Sequence, residues 1–87
     1  MTADLGALVD ALPDGWSEVA YAGRRYGLTK ITHGSGRSLS VYAEQLGGTD
    51  VVSANVYRTA SGDVLKPCEM PRQKVLDFLR EAYVVTD

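Results

Sequence analysis

Cysteine, histidine and tryptophan are the scarcest chemically useful residues in this chain of 87, with one of each: Cys68, His33 and Trp16. A single cysteine closes no internal disulfide and leaves too few thiols for a zinc finger or ribbon. A reducing, cytoplasmic setting fits that count. Charge of one sign is lacking as well: nine Lys and Arg stand against eleven Asp and Glu, for a net charge of −2. That balance argues against a general nucleic-acid binder, which needs cations to displace counterions from phosphates. No apolar run approaches the ~20 residues of a membrane span. The segment from Met1 to Leu12 carries Asp4 and Asp10 and no basic stretch, so it reads as neither a signal nor a transit peptide. Nothing in the chain calls for a metal or a cofactor.

What is present is an ordinary globular composition, 45% apolar and 23% charged, in a length suited to one small core. The charges are unevenly spread. Between Arg24 and Lys74 eight basic residues face four acidic ones, and the acid-rich ends reverse the sign.

Leu5, Leu8, Val9 and Leu12 fall at i, i+3, i+4 and i+7, which predicts a short helix over about 3–12, with Thr2 or Asp4 to cap it. Pro13-Asp14-Gly15 ends that helix. Strands follow over about 16–22 and 26–33, joined across Gly23-Arg24-Arg25. Gly34-Ser35-Gly36 breaks the chain again. Over 38–44 and 51–59 apolar residues alternate with polar ones, Leu39, Val41 and Ala43 in the first strand and Val52, Ala54 and Val56 in the second. A fifth short strand over about 64–67 ends at Pro67, which belongs at a sheet edge or strand end. Pro71 then opens a helix over about 71–83 whose apolar stripe is Val75, Phe78, Leu79, Ala82 and Tyr83. Turns every ten or so residues force an antiparallel meander of four to five strands. With helices before and after the strands, the fold class is α+β in a single domain, 1–87.

Four features carry candidate chemistry. Cys68 is the only soft nucleophile and stands just before a helix start, where a helix dipole lowers a thiol pKa. At that place a free cysteine reads first as a small buried hydrophobe closing the core. His33, the one side chain with an unperturbed pKa near neutrality, sits alone at a hairpin tip. The glycines around it lie between two strands, the wrong context for a phosphate loop. The polar face of the two alternating strands displays Tyr42, Asn55 and Tyr57, with the tyrosines placed to neighbour one another across strands. Arg24, Arg25, Arg37 and Arg58 lie at or beside predicted turns, where they can meet a partner or an anion.

The stretches Tyr26-Gly27-Leu28-Thr29-Lys30, Val41-Tyr42-Ala43-Glu44-Gln45-Leu46-Gly47-Gly48-Thr49-Asp50 and Leu65-Lys66-Pro67-Cys68-Glu69-Met70-Pro71 resemble small uncharacterised bacterial proteins. Some of these carry the label peptide methionine sulfoxide reductase. That resemblance, over about residues 16–82, implies an enzyme in which a Cys68 thiolate attacks the sulfoxide sulfur and an external thiol resolves the product. The Gly-Cys-Phe-Trp active-site sequence of one reductase family is absent from this chain, as are the zinc-binding cysteine pairs of another. The residues themselves favour a small interaction or accessory domain, binding a protein partner through Tyr42, Tyr57, Asn55 and Arg58. A third reading stacks single-stranded nucleic acid on the tyrosines, against the acidic ends.

Overall fold

The computed structural model describes residues 5–85. It is α+β: helix α1 (Leu5–Asp10), strands β1 (Gly15–Tyr21), β2 (Arg24–His33), β3 (Ser38–Gln45), β4 (Val51–Thr59) and β5 (Gly62–Pro67), helix α2 (Arg72–Glu81), and a short strand β6 (Tyr83–Val84). The sheet is antiparallel in the order β5-β4-β3-β2-β1-β6. Five strands form the expected meander, and α2 carries the chain across one face so that β6 joins the far edge. Thr2 and Asp4, the expected caps of α1, lie outside the described residues.

The hairpins are tighter than their turn residues suggested. Ala22 and Gly23 alone connect β1 to β2, with φ of 52° and 76°, and Tyr21 pairs with Arg24. Positive φ at both central positions is the type I′ geometry that matches strand twist. Arg24 and Arg25 therefore belong to β2 and not to the turn. Likewise Thr59 pairs with Gly62, so Ala60 and Ser61 suffice to start β5. Pro67 ends β5 at the sheet edge, the position its missing N–H allows.

The second helix is shorter than its apolar stripe. Pro71 stands at the N-cap with extended ψ, the helix runs from Arg72, and Ala82 is extended again with ψ of 143°. Tyr83 thus leaves the helical stripe for β6, where it pairs with Ala20 while Val84 pairs with Val19. Two forces explain the change. Tyr-Val-Val is a better strand than helix sequence, and β1 offers an edge whose carbonyl at Glu18 accepts the N–H of Val85.

The core lies between α1, α2 and one face of the sheet. Val9 and Leu12 from α1 and its exit, Val75, Phe78 and Leu79 from α2, and Val19, Tyr26, Leu28, Leu39, Val41, Ala43, Val52, Ala54, Val56 and Leu65 from the strands form one buried cluster. Phe78 meets Tyr21 and Tyr26 edge-to-face, with ring centroids 5.1 and 5.3 Å away. Tyr26 Oη donates to Asp50 at 2.7 Å, and Lys74 Nζ donates to the other carboxylate oxygen at 2.7 Å. These bonds, from Lys74 first and Tyr26 second, hold the Asp50 pKa below the usual carboxylate value, while burial and the bond to Asp50 raise that of Tyr26.

Among the described residues Lys30 is the one charged residue buried in this interior. It is only 7% exposed, and its ammonium donates to the carbonyls of Val9 and Leu12 at 2.8 and 3.0 Å. Those carbonyls belong to the open end of α1, so Lys30 supplies the C-terminal partners that a six-residue helix lacks.

Candidate functional site

Both helices cover the same face of the sheet, and among the described residues no element covers the other. Strand alternation and register decide what that open face shows. One row across the strands reads Trp16, Thr29, Tyr42 and Ser53; the next reads Ile31, Ser40, Asn55 and Lys66; the outermost reads His33, Ser38, Tyr57 and Val64. Below them Glu18, Gly27, Glu44 and Val51 form a fourth row, and Arg25, Ala20 and Tyr83 a fifth.

The large apolar side chains exposed among the described residues are Trp16, Ile31, Tyr42, Leu46, Tyr57, Val64 and Tyr83. All but Leu46, which follows the end of β3, are placed on this face by strand register. A surface with apolar side chains scattered singly needs no explanation, but concentration on one uncovered face is the pattern of an interaction surface. Trp16, 63% exposed, extends diagonally over Gly27. A Cβ on that glycine would stand 2.9 Å from the indole Nε1, so the missing side chain makes the trough in which the ring lies.

Tyr42, Tyr57 and Asn55 all reach this face, but the two tyrosines are not neighbours. Tyr42 stands opposite Ser53 and Tyr57 opposite Ser38, leaving the row of Ser40 and Asn55 between them. Arg58 is elsewhere. It lies on the helix-bearing side, bonded to Asp10 of α1 and facing Asp63 of β5, and it lines an open recess of about 340 Å³ with Asp10, Asp14 and Lys30. The charges there are already paired across α1 and the sheet, so Arg58 acts as a tether between them.

His33 gains partners that the sequence did not announce. Its Nε2 lies 3.1 Å from Ser40 Oγ, which donates to Asn55 Oδ1 at 3.0 Å. The single hydroxyl proton is thus committed to Asn55, and His33 Nε2–H is the donor to Ser40. A serine activated for attack needs the opposite arrangement, with a base accepting its proton. The chain of bonds orders a polar strip between Ile31 and Tyr57 instead.

Cys68 is exposed, not buried under α2 as its neighbours suggested. Its N–H donates to Ser53 O at 3.1 Å, and Glu69 follows with φ of 48°, a reversal that turns the chain out beyond the sheet edge. Met70 fills the place expected of Cys68. It packs against the core, and its sulfur accepts the N–H of Ser53 at 3.5 Å.

The basic residues of the chain's middle do not gather. On the open face Arg25 is paired with Glu18, and Lys66 stands apart from it on the edge strand β5 opposite Asn55, so among the described residues these cations form no continuous track for a nucleic-acid backbone. Among the described residues no group of three or more His, Cys, Asp or Glu is placed to hold a metal ion, and no helix is long and apolar enough to cross a membrane.

The residues missed from the sequence are Trp16, Ile31, Val64 and Tyr83. For the first three the signal was strand parity: extending the two-residue alternation of β3 and β4 into β1, β2 and β5 places them beside Tyr42 and Tyr57. No family, curated protein or solved structure matches this chain.

Proposed function

We propose that this chain is a small protein-interaction domain whose binding surface is the open face of its sheet. The observation that carries the reading is the collection of Trp16, Ile31, Tyr42, Tyr57, Val64 and Tyr83 on the one face that neither helix covers. Aromatic rings on strands are large and rigid, so they bury much area at little entropic cost, and Asn55, Ser40 and Lys66 give the polar contacts that orient a partner. A bacterial cytoplasm suits the domain, since its one thiol is exposed and stays reduced there.

Immobilised domain should retain a partner from a bacterial lysate, and Trp16→Ala or Tyr42→Ala should weaken retention by about tenfold or more, as loss of a central aromatic anchor does. Arg72→Ala, on the helix side, should leave it unchanged. No specific capture, or a complex indifferent to both aromatic substitutions, would defeat the reading.

The exposure of Cys68 favours one alternative, a thiol-dependent sulfoxide reductase. Attack on a sulfoxide leaves a sulfenic acid, and with no second cysteine in these 87 residues an external thiol must reduce it. Equal turnover of a methionine sulfoxide peptide by wild type and Cys68→Ser would eliminate that alternative.

A further inference from the structure

The open face is self-complementary in the sizes of its side chains, and we propose that its partner is a second copy of this chain, packed sheet to sheet about a two-fold axis. The inference rests on the open-face reading above and names the partner for that surface. Its basis is the pairing of β2 with β3, where a large side chain stands beside a small one at successive open-face positions. Tyr42 pairs with Thr29, Ile31 with Ser40 and His33 with Ser38.

A two-fold axis in the plane of the interface, running along the strands midway between β2 and β3, lays β3 of one copy over β2 of the other. Each residue of a pair then faces the counterpart of its own neighbour. Tyr42 enters the space above Thr29 of the second copy, and Ile31 the space above Ser40. The same operation exchanges β1 with β4, and the indole of Trp16, which lies over Gly27, is set against Glu44 of the second copy, the residue paired with Gly27. At Tyr42 with Thr29 and Ile31 with Ser40, large side chains meet small ones in both directions, as an isologous contact requires. Aligned sheets cross at about 30°, and rows near the centre of the face stay closest to this register.

The area agrees with the arrangement. Six strands ~4.8 Å apart, with like-facing residues every ~6.8 Å over five rows, give a face of roughly 650 Å², or about 1,300 Å² for two copies. That falls within the ~1,200–2,000 Å² of a stable specific interface. The two Glu44 carboxylates come together at one rim, and Arg25 of each copy stands one row away from the Glu44 of the other. A net charge of −2 imposes little repulsion between copies.

The axis brings Ile31 of the two copies side by side, which makes it the position to test. In sedimentation the wild type should move from one to two chains with rising concentration, and emission from its single Trp16 should shift to the blue in parallel. Ile31→Lys and Ile31→Glu should each remain monomeric, and their equal mixture should recover the doubled mass. Ile31 is 49% exposed and Tyr42 46%, so Tyr42→Lys repeats the test if either Ile31 variant folds poorly. A wild type monomeric at every concentration overturns the dimer alone; the capture assay with Trp16→Ala and Tyr42→Ala then still decides whether the face binds another protein. A dimer that survives both Ile31→Lys and Tyr42→Lys uses a different surface and overturns the proposal as well.

Discussion

The ammonium of Lys30, in the middle strand pair, donates a 2.8 Å hydrogen bond to the carbonyl of Val9 near the end of the first helix. Through this bond and its companion to Leu12, a buried charge in the sheet holds a helix that is too short to stand alone. The removal of that charge is the most direct test of how α1 is held. Lys30→Met keeps the aliphatic stem, takes the ammonium from the Leu12 carbonyl and leaves the Val9 carbonyl with the N–H of Leu12 alone, which should cost about 1–3 kcal/mol. For a domain of this size the midpoint of thermal unfolding should fall by roughly 4–8 °C per kcal/mol. An unchanged melting temperature would show that α1 is held by the packing of Val9 and Leu12 and by the Arg58–Asp10 pair without help from Lys30.

Gly27→Ala places a methyl group 2.9 Å from the indole nitrogen of Trp16. The ring lies on the open face and can swing outward, so the fold should persist with a stability loss of about 1 kcal/mol or less, typical of a surface change. Trp16 emission should move to longer wavelength as the indole gains water. An emission spectrum identical to wild type would contradict the seating of Trp16 over Gly27.

The bonds from Lys74 and Tyr26 depress the Asp50 pKa in the folded state. A depressed carboxylate stabilises the fold above its unfolded pKa, and the gain disappears as pH falls through the folded value. Wild type should therefore lose stability relative to Asp50→Asn on acidification below the ordinary aspartate value of 3.8. The tyrosines act at the other end. Burial raises the pKa of Tyr21 and Tyr26 above 10.0, so stability present at lower pH should drain away as alkali ionises the unfolded chain. Denaturant titrations across pH, with Asp50→Asn and Tyr26→Phe as references, measure both limbs; parallel curves for wild type and Asp50→Asn in acid would refute the Asp50 linkage.

Cys68 should react with an alkylating reagent in native buffer as fast as in denaturant, because it is exposed in the folded chain. Thiol titration with and without denaturant reads this directly. Protection in the native protein would place the thiol inside and return Met70 to the surface.

The meander and both helices were legible because β3 and β4 keep a clean two-residue period and α2 a clean helical stripe. The open face was legible only in those two strands. In β2 the parity was disguised: Lys30 occupies an interior position and Ile31 an exterior one, the reverse of what their side chains suggest. The carbonyls of Val9 and Leu12, with the carboxylate of Asp14 at 3.7 Å, all distant in sequence, account for a lysine facing inward. Tyr83 was hidden differently. It continues the apolar spacing of α2, and the docking of β6 on β1 decides its conformation against that pattern. Cys68, expected inside, is exposed and Met70 packs on the core instead, with the positive φ at Glu69 between them, and no residue type there signals such a turn. The tyrosine pair failed as a pair because register, which depends on hairpin length, shifts Tyr57 past Tyr42 by two rows.

The docking of β6 against β1 also orders events in time. Hairpins between neighbouring strands close small loops and form early, whereas β1 must wait for the segment that follows α2 before its outer edge is paired. On a ribosome that edge would stay bare throughout translation of the meander and α2, which makes nascent chains the form of this protein most prone to joining strands with a neighbour.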